Sequence, residues 1–195
     1  LAAGAATSLV DIKTTVENDN LIVSVFSLVA VGIIILLTFR SITLPVVLVA
    51  VIQIAIWINM GVPYFNGSSL VFIGYLVIKS LQLGATIDYA ILLSNRYMDF
   101  RQSHNPKEAS ALALQASAGS VLTSALILSL AGYAEGLLST IEAISTIGML
   151  LGRGAALSGI LVLTLLPVLL TILDPIIMAT TLGTKTIRQQ RKRSA

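Results

Sequence analysis

Residues 21–39 read LIVSVFSLVAVGIIILLTF, a run with no charged side chain that stops at Arg40. A transmembrane helix needs about 20 mostly apolar residues, so this run predicts a membrane span. The rest of the chain agrees. Of 195 residues, 56% are apolar and 11% are charged, against roughly 25% charged in an ordinary soluble domain. Mean hydropathy is +0.94. A soluble enzyme, a nucleic-acid-binding domain and a disordered tail are all disfavoured by that balance.

Working outward, a second charge-free run covers 41–78 and holds 38 residues, too many for one span. The cluster Gly61-Val62-Pro63-Tyr64-Phe65-Asn66-Gly67 supplies turn residues that split it. Spans are therefore expected at about 21–39, 43–61, 70–97, 111–134 and 146–173. The predicted fold is all-α and polytopic, with five transmembrane helices over 21–178. Residues 1–20 are too polar to span, and 179–195 form a basic tail.

Charge sets the expected orientation. Arg40, Arg96, Arg101, Lys107, Lys185, Arg188, Arg191, Lys192 and Arg193 fall on one side of a five-span layout. The other side holds Lys13 with Asp11, Glu17, Asp19, Glu135 and Glu142. The positive-inside rule puts the first side in the cytoplasm. The tail reads as a topology anchor or a binder of anionic lipid. The chain starts at Leu1 with no signal-peptide pattern, and is expected to be part of a longer protein.

Asp88 is the residue most in need of explanation. It sits inside the third span, eight residues before Arg96, or about 12 Å inward at 1.5 Å per residue. An intramembrane carboxylate costs about 2.5–3.5 kcal/mol on insertion scales, and by default marks a functional site. Apolar surroundings disfavour its charged form, which suits a proton carrier. The plain alternative is a structural Asp satisfied by neighbouring hydroxyls. Tyr89 beside it offers a phenol for a relay, or simply packs.

Gly84, Asp88 and Asn95 share one helical stripe. The next span repeats small and hydroxyl residues at Ala113, Ala116, Ser117, Ser120 and Ser124, a stripe expected to pack on the Asp88 face and donate to it. Gly148, Gly152, Ala155 and Gly159 form a small-residue stripe in the fifth span. Lys79 and Arg153 are further intramembrane charges. Both lie toward the outer surface, within snorkelling reach, and Arg153 is free to pair with Glu142 or with backbone carbonyls.

Enzyme chemistry finds little support. Cysteine is absent, so a thiolate nucleophile and a thiolate metal site are excluded. His104 stands alone in the polar segment MDFRQSHNPKE (98–108). An intramembrane aspartyl protease needs two facing aspartates, and Asp88 is the one acidic residue deep in any span. No catalytic residue, cofactor or metal is expected.

The segment LGATIDYAILLSNRY (83–97) resembles the Asp-Tyr helix of the MMPL family, within the resistance–nodulation–division (RND) superfamily. Supporting pieces follow in order: TFRS (38–41) with Pro45, AGSVLTSA (118–125), Gly148 to Gly154, and Leu166-Pro167. The resemblance implies that the five spans are most of one RND half-bundle, here the C-terminal half, with the first half as alternative. It implies that 1–20 is the exit from an extracytoplasmic porter domain. It further implies a bacterial cell-membrane exporter of lipids or other hydrophobic compounds, driven by protons. Asp88 and Tyr89 would match one Asp-Tyr pair and face an opposing pair on the other half. Gly84, Asn95, Ser117, Ser120 and Ser124 would support the relay. Lys79 departs from the uncharged residue expected there. A lipid sensor or scaffold like the sterol-sensing domains is the alternative reading, and a distant tie to protein-export membrane subunits is weaker. Expected partners are membrane lipids, the other half, protons and a hydrophobic substrate, with no nucleic acid.

Overall fold

The structure is a computed structural model that describes residues 5–65 and 72–181, with side chains over 21–65 and 78–181. Six helices occur among the described residues: α1 (Ala5–Phe39), α2 (Thr43–Phe65), α3 (Phe72–Arg101), α4 (Pro106–Leu138), α5 (Glu142–Ile172) and α6 (Asp174–Thr180). The side chains of Asp11, Lys13, Glu17 and Asp19 lie outside the described residues, as do Asn66, Gly67 and the basic positions 185–193.

Among the described residues, four segments are long and apolar enough to cross a bilayer: Leu21–Phe39 within α1, and α2, α4 and α5. The expected third span is a helix of ample length at 30 residues. Composition alone does not make it a span, because it carries Lys79, Asp88, Arg96, Asp99 and Arg101. It packs against α1, α2, α4 and α5.

The helices overrun the expected boundaries for local reasons. α1 begins sixteen residues before its apolar segment, so the polar stretch is helical from Ala5 and continuous with the first span. α2 runs through Gly61 and Pro63 to Phe65. Proline near a helix end removes one backbone bond, to the carbonyl four residues back, without breaking the remaining turn. α4 starts where Asn105 accepts from the Glu108 N–H at 3.0 Å and Pro106 takes the first helical position. Between α1 and α2 the chain reverses at Arg40, whose φ of 49° is left-handed.

α5 is the central helix, touching α2, α3, α4 and α6. Its contact with α4 is built on glycine. A Cβ on Gly132 would stand 2.5 Å from the Gly152 nitrogen, and one on Gly148 would stand 2.6 Å from the Gly136 nitrogen. Within lipid the hydrophobic effect does not drive helices together, so close backbone approach and van der Waals packing do. The small-residue stripe expected on the fifth span is thus a packing surface, and Gly159 extends it onto Ala125. Elsewhere the core is aliphatic: Leu44, Leu48 and Ile52 of α2 join Leu93 of α3 and Leu166 and Leu170 of α5. Outward faces are apolar too. Phe26, Ile34 and Leu37 of α1 and Leu130 and Leu137 of α4 are exposed, as a lipid-solvated surface requires.

Candidate functional site

Asp88 lies on the open face of α3. It is exposed, as are Leu81, Gly84, Asn95 and Asp99 on the same stripe. The opposite face, with Gln82, Thr86, Ala90, Leu93 and Tyr97, is buried. Among the described residues no hydrogen bond reaches the Asp88 carboxylate. A Cβ on Gly84 would meet nothing within 4 Å, so the helix surface beside Asp88 is uncovered. Tyr89, one residue on and about 100° round the helix, is 6% exposed and packs inward.

The hydroxyl stripe of α4 splits. Ser117 is buried and bonds back to the Ala113 carbonyl of its own helix. Ser120 and Ser124 are exposed. No hydrogen bond joins any of the three to Asp88. α4 buries Ala109, Ala113 and Val121 in the core it shares with α3 and α5, while the Asp88 face points out of the bundle. Ser94 is the one buried side chain among the described residues whose polar atom lacks a partner.

The two other charges expected inside the membrane are both partly buried. Lys79 is half-buried and lines a cavity of about 70 Å³ with Ser24, Ser27, Gln53 and Ser80, between α1, α2 and α3. That space is ample for water, which needs only about 10–15 Å³ and a few polar partners. Arg153 donates from Nε to Asn59 Oδ1 at 2.8 Å and from Nη2 to the Asn59 carbonyl at 3.0 Å. That carbonyl is the one Pro63, four residues on, has no N–H to serve. Arg153 therefore pairs with a backbone carbonyl and an amide, not with Glu142.

Sequence reasoning missed the network around Asn59. Its Nδ2 donates to Gln82 Oε1 at 2.8 Å and to the Leu150 carbonyl at 2.8 Å. Gln82 Nε2 reaches the Gly154 carbonyl and Ser158 Oγ, each at 3.3 Å. Asn59, Gln82 and Ser158 are all fully buried. The signal was present as two lone amides inside apolar runs. Nothing in their spacing shows that they meet.

A clamp at the opposite end was missed as well. Arg101 grips Asp174 with Nε at 2.8 Å and Nη2 at 3.0 Å, a two-pronged pair. Tyr97 donates to Asp174 Oδ1 at 2.7 Å. The hydrogen bond to Asp174 holds the Arg101 guanidinium above its ordinary value, against the opposing pull of burial. The clamp ties the end of α3 to the α5–α6 corner. Nearby, the Thr180 hydroxyl meets Ser41 and Thr43, closing α6 beneath α2. Among the described residues, no three Asp, Glu or His side chains gather as a metal site.

Lipid-facing apolar surfaces, glycine-built helix contacts and a charged helix with one open face define a polytopic helical membrane protein. The model of the MMPL family matches residues 2–194, and the chain belongs to that family, in the RND superfamily of membrane transporters. No curated protein and no solved structure matches it significantly.

Proposed function

We propose that this chain supplies one half of the proton relay in a proton-driven exporter of lipids or other hydrophobic compounds. Asp88 carries the proton and Tyr89 is its neighbour in the relay. One observation carries the reading: the carboxylate stands unbonded on an outward face, beside the uncovered helix surface at Gly84. A charge facing lipid is costly, so this face calls for a partner surface. A second half bearing its own Asp-Tyr pair fits, provided by another segment of the same protein or by a second copy.

The basic loops at Arg40, Arg96, Arg101 and Lys107 lie in the cytoplasm of a bacterial cell in this reading, by the positive-inside rule. Protons then enter from the Phe65 end of the bundle and leave at the Arg101 end. Each charge crossing is worth about 2.3 kcal/mol per 100 mV. Relay chemistry makes and breaks no covalent bond in the substrate, so the role is transport and not catalysis. Ser120 and Ser124 are exposed on α4, where a second half could use their hydroxyls.

The test is Asp88→Asn in the intact protein, assayed for proton-coupled substrate export in vesicles. Export should vanish while membrane insertion and thermal stability stay near wild type. Normal export by that variant, or wild-type export indifferent to a proton uncoupler, would overturn the proposal.

A further inference from the structure

Arg153 is held more elaborately than a packing role requires. A guanidinium has five N–H donors. Two of them are spent on Asn59, one on its side chain and one on its carbonyl. The other three have no hydrogen-bond partner among the described residues, and no carboxylate there lies within ion-pair distance of this cation. Glu135 and Glu142 are exposed at the same end of the bundle without pairing to it.

The frame behind it is rigid. Asn59 is fixed by Gln82 and the Leu150 carbonyl, and Gln82 by Ser158 and the Gly154 carbonyl. A side chain at Gly154 would collide with both amides. Three helices thus orient one half-buried cation. Capping the carbonyl that Pro63 leaves open needs only a neutral donor such as glutamine. The charge and the remaining fork are surplus to that task.

Position supplies the ligand. Arg153 lies eleven residues after Glu142, about 16 Å along α5. α5 spans about 46 Å, against about 30 Å of hydrocarbon. The Arg153 backbone therefore sits somewhat below the headgroup boundary, at a depth from which arginine reaches the interface. Backbone carbonyls of α2 point toward its Phe65 end, and the guanidinium bound to one of them is drawn the same way.

We propose that Arg153 and its Asn59–Gln82 frame form a binding site for an anionic headgroup, a phosphate or carboxylate, in the leaflet at the Phe65 end. The planar fork donates to two oxygens of that group, as it does to any phosphate or carboxylate. The site is separate from Asp88 and does not depend on proton coupling.

The test is native mass spectrometry of the whole purified protein with added lipid. The probes are phosphatidylglycerol, zwitterionic phosphatidylcholine, oleate and inorganic phosphate. Phosphatidylglycerol or oleate should bind the wild type at least tenfold more tightly than Arg153→Gln, with Arg153→Lys between them. A phosphatidylglycerol effect assigns the anion to a phospholipid, and an oleate effect assigns it to a carboxylate. Inorganic phosphate matching phosphatidylglycerol means that no acyl chain is required. Equal binding by wild type and Arg153→Gln overturns the site. Because Arg153→Gln could perturb folding, the wild type gives a second readout: phosphatidylglycerol or oleate should raise its Tm more than phosphatidylcholine does. No difference among these lipids also overturns the site.

Discussion

Gly154 and Gln82 are separated by less than the room a methyl group needs: a Cβ on Gly154 would stand 2.5 Å from both Cδ and Oε1 of Gln82, and 2.7 Å from Asn59 Nδ2. The glycine is a consequence of the amide network, since only a bare Cα lets two buried side chains pass between α2, α3 and α5. Gly154→Ala should cost about 1–3 kcal/mol through overpacking. Gln82→Ala should restore part of that loss in the double variant, since the two sites share contacts. Thermal unfolding of the four proteins in detergent checks this, and strictly additive losses would contradict it.

At the α4–α5 crossing the obstacle is backbone. A Cβ on Gly152 would meet the Ser129 carbonyl at 2.8 Å and the Tyr133 nitrogen at 2.9 Å, neither of which can swing aside. Gly152→Ala should therefore destabilise by about 2–3 kcal/mol, at the upper end of overpacking costs. Gly84→Ala meets nothing within 4 Å and should leave unfolding unchanged or slightly improved, because alanine is the better helix former. If the open face of α3 receives a second half, Gly84→Leu should keep this bundle folded and yet reduce transport. Paired Tm and export measurements separate the two effects.

The Arg101–Asp174 pair should be costly to break from one side. Asp174 is 4% exposed, and Asp174→Asn leaves the guanidinium without its counter-charge. A loss of about 3 kcal/mol is expected, read as a lowered Tm. Tyr97→Phe removes the hydroxyl that reaches Asp174 Oδ1 and the Leu170 carbonyl and should cost about 1 kcal/mol.

The pH response of that clamp follows from its sign. Arg101 is raised above its ordinary value in the folded protein. Its stabilisation is then complete below the ordinary guanidinium value and is lost only as pH climbs through the higher folded one. The Tm gap between wild type and Asp174→Asn should stay constant from neutral pH to pH 10. A gap that shrinks over that window would mean a different group carries the pair.

Much of this architecture is legible in the residues. The charge-free run at 21–39 and the turn signal in Asn105-Pro106 place α1 and α4, because length and capping are local properties. Gly148, Gly152 and Gly159 announce a packing face for the same reason. Their counterparts Gly132 and Gly136 carry the same spacing, but only the fold shows that the two sets meet. Asp88 stands out by cost alone. Its open face does not, since a stripe of Gly84, Asp88 and Asn95 is equally compatible with burial. Asn59, Gln82 and Arg153 are far apart in sequence, and their meeting is a property of three helices packed together. For Arg153 the sequence leaves Glu142 and backbone carbonyls open as partners; the fold takes a carbonyl, the one that Pro63 leaves open, together with the Asn59 amide oxygen, and which carbonyl that is depends on how α2 and α5 pack. Asp174-Pro175 breaks the apolar run after α5 and opens α6, and the Asp174 carboxylate also closes the bundle end.

α1 offers a last point of geometry. Its 35 residues form one helix, of which Leu21–Phe39 is the apolar part. The remainder is a helical mast of about 24 Å at 1.5 Å per residue, continuous with the membrane segment. A continuous helix has little slack. Tilting the apolar part by about 10° swings Ala5 sideways by about 4 Å at that length, so whatever is joined to the tip travels with every adjustment made among α1, α2 and α3.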